Sequence, residues 1–378
     1  MTAKKTRRTR KKIRRIVVKV GSSSLTRDGR LRTRKVGDLV RQISQLMDAG
    51  HEVVLVSSGA IALGNAELGW TGQDRSLREK QAAAAVGQIG LAELYRRRFA
   101  IRKRRVAQVL LTRAGLADRE RFLNARHTFL ELIHLGVVPV VNENDSVATE
   151  EILFGDNDNL SATIVNLIDA DLLVILTDVD GLYESPPRPG EPEPPLIEEI
   201  ERVTPAIRRA AGTSHSASGR GGMVTKLSAA QTASRSGAST VICNSETRDV
   251  LLRVLANERL GTWVRPGERM ASRKHWLAFT TRSKGEVVLD SGACKAVQKR
   301  GRSLLAAGVQ GVRGRFRVGD AVTCLDPAGD EIARGLIGYH STDLARIAGL
   351  STAEAKRVLG YWNGDEIIHR DDLVLLES

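Results

Sequence analysis

Six short runs rich in Val, Ile and Leu recur up to Asn244: "RIVVKV", "HEVVLVSS", "VAQVLLT", "VVPVVNEND", "DLLVILTDVDG" and "STVICN". Between them lie longer segments, 34–49, 77–100, 119–135, 159–169 and 226–236, whose apolar residues fall three or four apart. A run that is apolar at every position suits a strand covered on both faces, and amphipathic helices suit the cover. Right-handed crossovers then predict an α/β fold with a doubly wound, mainly parallel sheet in a helix sandwich. After about residue 265 the pattern changes to short alternating runs separated by Gly: "GEVVLDSGA", "GVRGRFRVGDAVTCLD" and "EIARGLIGY". These predict a small β-rich module. The expected organisation is a basic disordered arm over 1–13, the α/β domain over 14–265, a linker over 266–280 and the β-rich domain over 281–378. "YESPPRPGEPEPPLIEE" holds six of the ten prolines and is expected to be an extended surface loop.

In a doubly wound sheet, ligands gather at the carboxyl edge, where loops and helix N-termini meet. Four of the predicted strands end in "KVGSSS", "VSSGA", "VNENDS" and "LTDVDG". Any one of these is only what a turn needs. Four on one edge point to a site. The stretch "FGDNDNLSA", residues 154–162, then crowds Asp156, Asn157, Asp158 and Asn159 against a helix start. Asp158 or Asn159 alone would cap the helix, so the surplus polarity points to a ligand.

Two stretches suit an anion. Gly21 to Ser24 follow the first strand, with Lys19 two residues before the turn, and "RGGMVTK" (220–226) places Lys226 at the start of an Ala-rich helix. Thr177 and Asp178 at the end of another strand can cap a helix or contact a nucleotide. No G-x-x-x-x-G-K-[ST] motif occurs, which excludes a P-loop kinase.

The formal charge of +14 sits mainly in two blocks, nine Lys and Arg in residues 1–15 and seven in 96–105, and the rest is nearly neutral. A solvated tail and a solvated helix end account for both blocks. Cys243, Cys294 and Cys324 are far apart, and the seven His form no metal-binding pair, so neither a disulfide framework nor a metal site is expected. With no apolar run long enough to span a bilayer and no secretory signal, the expectation is a soluble, cytoplasmic protein without membrane partners.

The motifs "VVKVGSSSL", "VSSGAIALG", "QAAAAVGQIGL", "LLTRAGLADRERFLNAR", "VPVVNENDSVAT", "FGDNDNLSA", "LTDVDGLY" and "GRGGMVTKL" resemble, in order, those of the glutamate 5-kinase family within the amino-acid kinase superfamily. The tail, with "GEVVLDSGACKAV", "SLLAAGV", "GRFRVGD" and "IARGLIGY", resembles a PUA domain. The resemblance implies transfer of the γ-phosphoryl group of ATP, with Mg²⁺, to the side-chain carboxylate of L-glutamate, the first step toward proline. It implies Lys19, Asp158 and Lys226 as catalytic residues, the two lysines flanking the transferring phosphoryl group and Asp158 holding both of them charged and aimed. Ser58, Asn142, Asp145, Asp156 and Asn157 would bind glutamate. Lys19, Gly21, Ser22, Thr177, Asp178, Arg220, Gly221, Gly222, Met223, Val224, Thr225 and Lys226 would bind ATP. Ser22 and Arg220 depart from the family pattern, where Thr is expected. Assembly into a dimer or tetramer and feedback by proline are implied in the same way. RNA binding is the competing reading, but residues 281–378 carry 14 Lys and Arg against 13 Asp and Glu, a weak charge for a phosphate-backbone reader.

Overall fold

The computed structural model describes residues 13–27, 30–71, 75–147, 157–187, 190–212, 222–269, 272–300, 302–361 and 363–376. The chain divides into two compact units. One comprises the residues up to Arg113 and Phe122–Arg269; the other comprises Ala114–Arg121 and the residues from 270 onward.

In the first unit the apolar runs become strands β1 (Arg15–Val20), β4 (Glu52–Ser57), β5 (Val106–Leu111), β6 (Val138–Glu143), β7 (Leu172–Thr177) and β9 (Ser239–Asn244). A two-residue hairpin, β2 (Thr26–Arg27) and β3 (Arg30–Leu31), follows β1, and β8 (Glu199–Ile200) and β10 (Thr262–Val264) complete the set. The eight-stranded sheet runs β5-β6-β4-β1-β7-β9-β10-β8. From β5 to β9 every pairing is parallel, and only β9 with β10 is antiparallel. β1 therefore lies at the switch point, where the chain winds first one way and then the other and leaves a crevice beyond the strand ends.

Strand alternation assigns each side chain to a layer. Ile16, Val18 and Val20 of β1, Val53 and Leu55 of β4, and Val138 and Val140 of β6 join one core cluster. Against them pack Val36, Leu39, Val40 and Ile43 of helix α2 (Thr33–Asp48) and Leu91, Tyr95 and Phe99 of helix α4 (Leu77–Ala100). Helix α1 (Ser22–Leu25) follows β1 directly, and α3 (Ala60–Glu67) follows β4. The glycines of α3 and α4 let the two helices nearly touch. A Cβ on Gly64 would sit 1.8 Å from the Ala83 carbonyl oxygen, and one on Gly87 would sit 2.0 Å from that of Ala60. A Ser76 and Glu79 capping box starts α4, satisfying backbone donors at both residues.

Helices α5 (Arg113–Leu116) and α6 (Arg119–His134) lie between β5 and β6. Further on come α7 (Asn157–Leu167), α8 (Pro205–Ala210), α9 (Met223–Arg235) and α10 (Val250–Leu255). α7 and α9 each precede a parallel strand, so their N-termini stand at the carboxyl edge. Asp158 and Asn159 lie within the first turn of α7 rather than before it, so neither is the cap. Among the described residues no helix is long and apolar enough to cross a membrane.

The second unit holds a five-stranded sheet of β11 (Gly285–Leu289), β13 (Val309–Gly314), β14 (Ala321–Leu325), β15 (Glu331–Leu336) and β17 (Leu373–Leu375), in the order β13-β11-β14-β15-β17. Strands β12 (Leu304–Leu305) and β16 (Glu366–Ile368) pair separately. Residues Ser272–Phe279, in the stretch read as a linker, form helix α11, which buries His275, Trp276 and Leu277. The Trp276 indole donates to the Leu116 carbonyl at 3.0 Å, and the Arg119 guanidinium lies 5.1 Å from its ring centroid.

Candidate active site

β1 carries Lys19 on the face opposite Ile16, Val18 and Val20, and the residue is 6% exposed. A buried ammonium needs a counter-charge. The counter-charge is Asp158 of α7, fully buried, with Oδ1 2.6 Å from Lys19 Nζ. Its other oxygen lies 3.5 Å from Nζ of Lys226, on the first turns of α9, and accepts from the Thr225 hydroxyl at 2.8 Å. One carboxylate thus holds two buried lysines brought from opposite ends of the α/β unit.

Burial alone would raise the Asp158 carboxyl, but the charges of Lys19 and Lys226 and the hydrogen bonds from Lys19 and Thr225 outweigh it and hold the group below the usual carboxylate range. Lys226 moves below an ordinary lysine because burial disfavours its charge and Lys19 repels it, against the attraction of Asp158. Asp158 is therefore ionised between the two ammonium groups, and burial makes the charge of Lys226 costly to keep.

Around this centre stand other residues expected to bind ATP. A Cβ on Gly21 would lie 3.7 Å from Lys19 Nζ, and Ser22, exposed, begins α1. Gly222 precedes α9, whose first residues Met223, Val224 and Thr225 are partly exposed; the amides of Met223 and Val224 have no acceptor within the helix. Thr177 is buried at the end of β7, where its hydroxyl donates to exposed Asp178 at 3.0 Å, and the charge of Asp178 reaches Lys226. Arg220 and Gly221 lie outside the described residues, as does Asp156.

Of the residues expected to hold the amino acid, Ser58, Asn142 and Asn157 meet at the same edge. The Asn157 amide donates to Ser58 Oγ at 2.7 Å and to Asn142 Oδ1 at 3.0 Å. Asn142 and Asn157 are buried, and Ser58 is half-buried. Asp145 sits half-buried in the turn after β6, three residues past Asn142. The sequence reading missed Gln88 of α4, whose Oε1 accepts from the Asn142 amide at 2.9 Å. The missed signal is modest: "QAAAAVGQ" places Gln88 one residue after the glycine that α3 packs against. Beneath Ser58, Ser57 Oγ donates to the Ser58 carbonyl and lies 2.9 Å from the Tyr95 hydroxyl.

A buried two-lysine, one-carboxylate centre beside an amide and hydroxyl cluster suits a polyanion meeting a small polar molecule. Among the described residues no group of three His, Cys, Asp or Glu could hold a metal ion. Residues 14–244 match the model of the amino acid kinase family, and residues 285–359 match that of the PUA domain. The chain is 50% identical over 365 residues to a protein of Paraburkholderia phymatum named glutamate 5-kinase, covering 96% of this chain and 98% of that protein. It is equally similar to a Ralstonia pickettii protein of the same name, covering 96% and 97%. Among solved structures, carbamate kinase from Giardia lamblia aligns with a TM-score of 0.47 at 18% identity, covering 67% of this chain and 99% of that one.

Proposed function

This chain belongs to the amino acid kinase family and, within it, to the glutamate 5-kinases; on that premise we propose that it uses ATP to phosphorylate the side-chain carboxylate of L-glutamate, giving L-glutamyl 5-phosphate for proline biosynthesis. The observation that carries the reading is the Asp158 carboxylate held between Lys19 and Lys226. A glutamate side chain has a reference pKa of about 4.3, so the nucleophile is ionised at neutral pH and needs no general base. The obstacle is bringing an anion to a polyanion. Lys19 and Lys226 neutralise charge on the transferring group, and Asp158 keeps both aimed. A glutamate carboxylate oxygen bonds to the γ-phosphorus as the bond to the β,γ-bridging oxygen breaks, and ADP leaves with that electron pair.

Gly21, Ser22, Thr177, Asp178 and residues 220–226 form the nucleotide side of this reading. Ser58, Asn142, Asp145, Asp156 and Asn157 form the amino-acid side. Mg²⁺ fits as an ion carried on the nucleotide, since it needs few protein ligands and Asp158 is committed to two lysines. When bound, it would neutralise charge on the β- and γ-phosphate oxygens. The reading also carries a cytoplasmic location, in keeping with buried free thiols at Cys243, Cys294 and Cys324. Assembly into a dimer or tetramer is supported by Ile89 and Ile101, both over 70% exposed, and by β5 at the edge of the sheet.

The test is ADP release or hydroxamate formation with glutamate, compared with aspartate and N-acetylglutamate. Turnover with glutamate is expected, and a folded sample without it would overturn the reading.

A further inference from the structure

We infer that Gln88 is a positioning residue for glutamate recognition: it anchors a directional chain of amides that leaves the Asn157 carbonyl as the acceptor for the substrate's α-ammonium. The inference rests on the function proposed above. The chain begins in the α4 layer, where Gln88 Oε1 accepts from Asn142 Nδ2. It passes the end of β6, where Asn142 Oδ1 accepts from Asn157 Nδ2, and ends on α7, whose Asn157 Nδ2 also donates to Ser58 Oγ. Both amide hydrogens of Asn157 are thereby used. Its Oδ1 is buried and has no hydrogen-bond partner among the described residues.

An unmet buried acceptor is costly, and a bound donor removes that cost. Glutamate at neutral pH has only one donor group, its α-ammonium, because both carboxylates are acceptors. Ser58 Oγ accepts from Asn157, so its own proton is available for a substrate carboxylate. Reversing every amide would present donors where the ammonium must go. In the observed arrangement Gln88 presents its Oε1, and an acceptor at that position makes Asn142 donate there and accept from Asn157. No motif marks it, since a lone Gln in an Ala-rich helix is ordinary surface chemistry until the fold brings Asn142 beneath it.

The experiment measures steady-state kinetics of the full chain with Gln88→Glu, which can only accept, Gln88→Lys, which can only donate, and Gln88→Met, which does neither. The expected order puts Glu nearest the wild type, with a KM for glutamate within about threefold. Lys and Met should each raise it about tenfold or more, the loss of one buried hydrogen bond with its orientation. The KM for ATP should stay within about twofold in all three. A packing role gives a different order, with Met best and the two charged variants equally poor. That order, or an unchanged glutamate KM in Gln88→Met and Gln88→Lys, overturns the inference. A wild-type chain without glutamate turnover instead overturns the underlying function, a result visible before any variant is made.

Discussion

At the scale of single residues, the decisive feature is a shared carboxylate. Two lysines, each 6% exposed, share one fully buried carboxylate. Burying an ionised carboxylate with two ammonium groups is costly unless the charges are paired and hydrogen-bonded, so the loss of Asp158 should be felt in both stability and turnover. Asp158→Asn keeps the shape and removes the charge. It is expected to cut kcat by two orders of magnitude or more and to lower unfolding free energy by about 3–5 kcal/mol, read by denaturant titration. Unchanged stability would mean the lysines are not held by Asp158. Lys226 adds a pH signature. Its pKa in the free enzyme lies below the ordinary value of 10.5, so kcat/KM for ATP should fall as pH rises through that lowered value and the ammonium is lost. Nucleotide phosphates favour the charged form, so the alkaline limb of kcat should lie at higher pH than that of kcat/KM. Coincident limbs would remove Lys226 from phosphate binding.

At the scale of elements, the site depends on how closely α3 and α4 approach. Ser58 immediately precedes the turn into α3, Gln88 and Tyr95 lie on α4, and Gly64 and Gly87 set the distance between the helices. Gly87→Ala would drive a methyl into the Ala60 carbonyl. It is expected to cost about 1–3 kcal/mol in stability and to raise the glutamate KM, with a smaller effect on ATP. A variant as stable as the wild type with an unchanged glutamate KM would show that the helices can part without consequence. The elements themselves are legible in the sequence because strand and helix periods are local properties. Apolar runs give β1, β4, β5, β6, β7 and β9, and 3.6-residue spacing gives α2, α4, α6, α7 and α9. The start of α7 is not legible to the residue. Asp158 and Asn159 are both good caps by type, but the lysines claim Asp158 for the helix interior.

At the scale of the whole chain, the second unit takes in residues 114–121, which lie in sequence between two strands of the first unit's sheet. Leu116 there is 2% exposed, and its carbonyl accepts from Trp276. A chain ending at Arg269 loses that indole and is expected to show amide hydrogen exchange in 114–121 about tenfold faster or more, with the β1, β4 and β7 amides unchanged. Equal exchange in the two chains would mean that the segment is held without α11. The sequence by itself determined the parallel sheet, the edge on which the polar strand ends meet, and the residue types for a phosphate side and an amino-acid side, because periodicity and turn chemistry act over a few residues. The family resemblance already implied that Asp158 serves lysines from both ends of the unit, and the structure sets its oxygens against both; only the tertiary structure decided that Asn157 meets Ser58 from 99 residues away and that Asn142 donates to Gln88 from 54. Those pairings depend on the close approach of α3 and α4 and on crossovers that bring the N-termini of α7 and α9 to one sheet edge, and no local pattern encodes such distances.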